Sequence, residues 1–150
     1  MQKILALFGF TFLLAACAPA TQQKTMNGNL PPLVPIVYDF KQEFMKPFPE
    51  TKGGFQRRNF LKTATSSVEL IRVNDVIPLH RYFHEDQMVS VIAGRGTAVV
   101  GDVTTSIVPG QMLVIPAGML HSIQKAGKAP LDLMFVFSPP FEPLDAEWKE

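Results

Sequence analysis

Between Ser67 and Ser138 glycine and proline cut the chain into short pieces, and this punctuation restricts the fold more than any other feature. Gly94-Arg95-Gly96, Gly101-Asp102 and Pro109-Gly110 each interrupt a run of β-branched and apolar residues too short for an independently stable helix. Ser67-Val68-Glu69-Leu70-Ile71-Arg72-Val73 is rich in β-branched residues and patterned at period two, which predicts a strand. Further strands are predicted at Val76–Arg81, Met88–Ala93, Thr97–Val100, Thr104–Val108, Met112–Ile115, Leu120–Lys125 and Leu131–Ser138. Short strands with turns every ~8–12 residues predict an all-β domain built as a sandwich, barrel or jelly roll.

The 150 residues suit one domain, with thirteen prolines and ten glycines favouring turns over long helices. A net charge of +1 provides no basic footprint for nucleic acid. The start is organised differently from the rest. Met1-Gln2-Lys3 is basic, and Ile4 to Ala16 is apolar apart from Thr11, in the proportions of a secretory signal peptide over residues 1–16. Residues 18–32 are small and polar and read as a flexible tether.

Residues 33–66 read as an N-terminal extension packing on the barrel. Within it Leu33 to Phe40 is a candidate edge strand, Lys41–Lys46 a helical turn, and Lys41 to Asn59 an irregular connection. Residues 139–150 form a proline-rich tail, whose Phe141 and Trp148 are expected to pack against the outside of the barrel.

Leu14-Ala15-Ala16-Cys17 resembles the lipobox of bacterial lipoproteins. The resemblance implies cleavage before Cys17, acylation of its thiol and attachment of the mature chain to the cell envelope. With Ala18 rather than Asp following, it points to the outer membrane facing the periplasm rather than the inner membrane. The competing reading is an ordinary secretory signal cut after Ala18 or Ala20, which would leave Cys17 an unpaired thiol.

All three histidines lie between Pro78 and Gln124. Gly110, Pro116, Gly118 and His121 stand at the spacing of the second motif of the cupin family, with Lys125 where that motif has Asn. Counting through the first motif from Gly94 places His80, Tyr82 and Gln87 at positions where the family has His, His and Glu. The chain therefore resembles a small single-domain cupin, which implies a jelly-roll β-barrel over residues 67–138. The resemblance also implies a site for a divalent transition metal (Fe, Mn, Zn, Ni or Cu) held by His80, His121 and Gln87, with Tyr82 as a ligand-binding wall. Gln87 in place of a carboxylate removes a negative charge from beside such an ion.

His84 has two readings. A bulge near Phe83 would bring it to His80 as a further metal ligand, since at ~3.3 Å per residue the two are otherwise about 13 Å apart. Without a bulge it sits at the mouth in a solvated turn with Glu85 and Asp86. Met88, Met112 and Met119 are expected in the core.

The function expected is binding of a small molecule, a divalent metal or both in the barrel of a lipid-anchored envelope protein. The alternative is a metal-dependent oxidoreductase, of dioxygenase type, or an isomerase using the same residues. A homodimer joined through edge strands is a further expectation.

Overall fold

The computed structural model describes residues 37–149. The expected signal peptide, Cys17, the tether and residues 33–36 lie outside the described residues. Residues 37–39 are not a strand; they lead into helix α1, Phe40–Met45, capped by Asp39, whose carboxylate accepts from the N–H groups of Lys41 and Gln42. Ten strands follow: β1 Phe55–Lys62, β2 Ser67–Val73, β3 Val76–Tyr82, β4 Asp86–Ala93, β5 Gly96–Val100, β6 Val103–Ile107, β7 Met112–Ile115, β8 His121–Lys125, β9 Leu131–Ser138 and β10 Ala146–Trp148. No helix among the described residues is long and apolar enough to cross a membrane.

The strands form two antiparallel five-stranded sheets, ordered β1-β2-β9-β4-β7 and β10-β3-β8-β5-β6. The inward faces follow the pleat. Ile71 and Val73 of β2, Leu131, Leu133, Phe135 and Phe137 of β9, and Val89 and Val91 of β4 meet Ile77, Ala98, Ile107 and Ile123 from the other sheet. This all-β jelly roll is the architecture the turns predicted.

Four local expectations are corrected. Residues 55–59 are not irregular connection but the start of β1; its charged Gln56-Arg57-Arg58 hid an edge strand that pairs along the whole of β2. Phe141 is not outside the barrel but 7% exposed within the core, and Trp148 lies on β10, paired with β3. Met112 and Met119 are 59% and 40% exposed, because β7 is the outermost strand of its sheet and Met119 sits in the turn after it. Val114 is exposed for the same reason, while Ile115 of this edge strand is buried.

The segment before β1 packs on the outward face of β2. Phe44 is 4% exposed and stacks on Phe48 with centroids 5.7 Å apart. Arg72 donates to both Asp132 oxygens, at 2.7 and 2.8 Å, and to the Phe44 carbonyl at 2.9 Å, while its guanidinium lies 4.9 Å from the Phe48 ring. One arginine thus ties β2, β9 and the extension together. Replacing Phe44 by Ala should cost about 3 kcal/mol, the usual loss for a buried phenylalanine. Guanidinium-induced unfolding checks this; a loss below about 1 kcal/mol would show that the extension adds little to the barrel.

Candidate functional site

The interior is built around two imidazoles on neighbouring strands. His80 on β3 and His121 on β8 are directly paired, 2% and 0% exposed, with ring centroids 4.2 Å apart. Each is set by a backbone feature. The register of β3 against β8 slips between Ile77 and His80, so both side chains face inward although three positions separate them. The Pro78 carbonyl in that irregular segment accepts from His80 Nδ1 at 2.8 Å.

For His121 the turn Pro116-Ala117-Gly118-Met119 does the same work. Gly118 adopts φ +77°, a conformation that costs glycine nothing, and its N–H donates to the Tyr82 carbonyl at 2.6 Å. The turn thereby leaves the Met119 carbonyl 2.9 Å from His121 Nδ1. A carbonyl can only accept, so both Nδ1 atoms carry hydrogen, and in the neutral rings both Nε2 atoms carry the lone pair.

Burial keeps the rings neutral. It lowers His80 to about 4, helped by repulsion from His121, and it lowers His121 as well. His121 Nε2 is buried without a hydrogen-bond partner among the described residues, and so is Gln87 Oε1. Gln87 is 1% exposed on β4, opposite Ile115 and Phe137, and faces the same interior. Tyr82, 5% exposed, stands edge-on to His80, Phe137 and Phe141, and burial pushes its hydroxyl up to about 12. His80, His121, Gln87 and Tyr82 therefore all belong to the barrel interior.

His84 does not. The irregularity in β3 falls at Pro78–Leu79 rather than near Phe83, and the His84 side chain is 81% exposed. Its Nδ1 lies 2.5 Å from Asp145 Oδ1, and its N–H donates to Asp145 Oδ2. Of its two readings, the solvated turn is the one observed.

A cavity adjoins His80 and Tyr82, small enough that about 20 Å³ admits the centre of a water molecule. That is room for roughly one or two waters. Trp148 forms its outer wall, stacked on His80 at 4.4 Å and 15° and facing Phe55 across the sheets at 6.2 Å. β10 thus closes the histidine chamber. Its segment is held by Arg81–Glu147 at 2.6 Å, by the His84–Asp145 pair, and by the Glu142 N–H donating to Glu85 Oε1 at 2.6 Å. Glu85 is 2% exposed and is pushed up to about 7, chiefly by burial and also by Asp145 and Glu142.

The sequence reading missed the role of β1 and of Glu69. Arg57 and Asn59 pair with Ile71 and Glu69, so β1 turns these polar groups toward the interior. Glu69 is 3% exposed, and burial raises its carboxyl while Arg57 and Lys62 partly counter that. The available signal was that Glu69 alternates with Ile71 and Val73, two core residues.

The residues present do not make the metal centre that the motif implied. Among the described residues no group of three or more His, Cys, Asp or Glu is placed to hold an ion. Among the described residues the two imidazoles and the neutral Gln87 oxygen have no carboxylate grouped with them to balance a dication.

With this geometry in place, the comparisons agree. Residues 67–137 match the family model described as Cupin domain. The barrel is a cupin. No curated protein sequence matches the chain. Among solved structures, this cupin is similar to KdgF from Halomonas sp. (18% identity, TM-score 0.60, covering 67% of this chain and 93% of that one). It is also similar to BH2720 from Bacillus halodurans (24%, 0.62, 75% and 86%) and to Streptomyces Pac13 in a structure with uridine (11%, 0.60, 67% and 82%). These likenesses, all under 25% identity, establish the fold.

The pKa shifts make opposing predictions. Below pH 6.5 the unfolded chain protonates His80 while the folded one resists down to about 4, so this residue destabilises the fold as pH falls through that window. Glu85 acts in the opposite sense: held up near 7 against 4.5 in the unfolded chain, it costs stability as pH rises between those two values. Relative to wild type, His80→Gln should gain stability as pH falls from 6.5 to 4, and Glu85→Gln should gain as it rises from 4.5 to 7. Denaturant unfolding across this range is the measurement; parallel profiles for all three proteins would contradict the assignment.

Proposed function

We propose that this protein is a lipid-anchored cupin of the bacterial envelope that binds a small molecule at the His80–His121 chamber. The observation that carries the reading is the unpartnered pair His121 Nε2 and Gln87 Oε1, both buried and both acceptors. A buried polar atom without a partner costs roughly 1–3 kcal/mol, which a guest donating hydrogen bonds would recover. The small cavity against His80 is lined by Tyr82 and Trp148, while His121 and Gln87 are not among its lining residues. The neighbouring Pac13 structure with uridine supports a cupin barrel as a seat for a small organic guest.

A second reading is catalytic. The neutral imidazoles, with the His121 Nε2 lone pair left free to take a proton, suit an isomerase or dehydratase, and Pac13 is described as a nucleoside dehydratase. The oxidoreductase version depends on Fe, Mn, Zn, Ni or Cu, for which the donor set gives less support. Anchoring through Cys17, with the barrel held on its tether in the periplasm at the outer membrane, completes the proposal. A homodimer would use the apolar edge residues Met112 and Val114 of β7.

A fragment screen by protein-observed NMR, read on the ring resonances of both buried histidines, tests the chamber. Small donors should shift both rings together, more strongly in Trp148→Ala, where the chamber is open, and the shifts should vanish in His121→Ala. The absence of any paired shift, even in Trp148→Ala, would sink the reading. Protein purified without a histidine tag should carry less than about a tenth of an equivalent of transition metal. Stoichiometric uptake of added Fe(II) or Mn(II) would instead favour the metal-dependent enzyme. For the anchor, Cys17→Ser should abolish lipid attachment, leaving uncleaved precursor or soluble protein; unchanged mass and membrane fractionation would contradict it.

A further inference from the structure

Beside the closed histidine chamber lies a roomier cavity of about 290 Å³, whose wall includes Arg57, Asn59, Lys62, Glu69 and Phe141. Arg57 borders both spaces. Its guanidinium lies 4.2 Å from the centre of the Phe141 ring, so one face is backed by an aromatic and its edge is left for polar contacts.

The polar groups of this cavity are not equally occupied. Both Glu69 oxygens accept from Asn59 when the amide nitrogen is turned toward them, at 3.2 and 3.0 Å. Ser67 Oγ accepts from the Phe141 N–H at 2.9 Å. Lys62 and Glu142 pair with each other at 3.1 Å, both of them exposed. Arg57 is the exception. It forms an ion pair with Glu69, Nε 3.6 Å from Oε2, too long for a hydrogen bond, and none of its five donors has a hydrogen-bond partner among the described residues. A planar, permanently charged fork with unused donors, beside a cavity of this size, is complementary to a flat two-oxygen anion. Phe60, Leu61 and Pro143 make the remaining wall largely apolar.

We propose that this cavity is a seat for a small organic monocarboxylate, its head clamped by Arg57 and its body lying against the apolar wall. The seat goes beyond the histidine-chamber reading, since it uses neither imidazole. A dianion such as sulfate is disfavoured, because Glu69 and Glu142 also face the cavity. Glu69 therefore opposes the guest that Arg57 attracts, and the two residues predict changes of opposite sign.

The probe is benzoate, titrated into the full chain, with benzamide as its neutral counterpart and sulfate as an anion without an apolar body. Benzoate should bind at least about tenfold more tightly than benzamide or sulfate. Arg57→Gln should weaken benzoate by about tenfold or more, Arg57→Lys by less, and Glu69→Gln should strengthen it severalfold. His80→Ala with His121→Ala should leave benzoate affinity unchanged, which separates this proposal from the chamber reading. Equal binding of benzoate and benzamide, equal binding of benzoate and sulfate, no benzoate binding by the parent, or an affinity indifferent to Arg57→Gln would overturn it. Should Arg57→Gln fail to fold, Arg57→Lys and Glu69→Gln carry the test, and changes in the same direction would be equally fatal.

Discussion

Two imidazoles 4.2 Å apart can share a buried interior only while both are uncharged, and much of the structure serves that condition. Each ring spends its hydrogen on a main-chain carbonyl, at Pro78 for His80 and at Met119 for His121. Those carbonyls are where they are because β3 slips register before His80 and because Gly118 turns the chain back before His121. The side chains therefore do not hold each other; the backbone holds both. What remains unpartnered inside includes two acceptors, His121 Nε2 and the Gln87 oxygen.

The electrostatics divide by location. Within the barrel the histidines are neutral, and the carboxylate nearest in role, Glu69, is bound to the far partner strand with Asn59 and Arg57. Around the closing strand β10, by contrast, ionic groups dominate: Arg81 with Glu147, His84 with Asp145, and the buried Glu85 against the Glu142 backbone. A low-dielectric centre resists titration, while its closure is held by groups at the solvent boundary, where pH and salt reach them. Exposed pairs of this kind contribute little individually, so the closure depends as much on the Trp148–His80 stack as on charge.

How much of this was legible in the sequence depended on whether the signal was local. The fold and the placement of His121 were readable because glycine and proline at fixed spacing dictate turns whatever surrounds them. His80 and Gln87 followed by counting. β1 was not readable, since Gln56-Arg57-Arg58-Asn59 carries no apolar alternation; its strand character comes from pairing with β2. Glu69 misled for a related reason. In β2 the apolar Val68 and Leu70 share a face with Arg72, which holds the Phe44 extension, and Ser67 and Glu69 face inward. Polarity at period two reports a face only when water lies on one side, and here protein lies on both. Trp148 and Phe141 were likewise invisible as site residues because their partners are about seventy positions away in the chain.

The wall of the larger cavity comes largely from outside the segment that matches the family, and so does the outer border of the histidine chamber. Phe55, Arg57 and Asn59 precede residue 67, while Phe141, Pro143 and Trp148 follow residue 137. Both flanking strands, β1 and β10, are added at matching edges of the two sheets. Scaffold and selectivity are thus physically separable: the jelly roll can stay constant while its appended borders are rewritten. In such an arrangement, chemical preference travels with the margins of the domain.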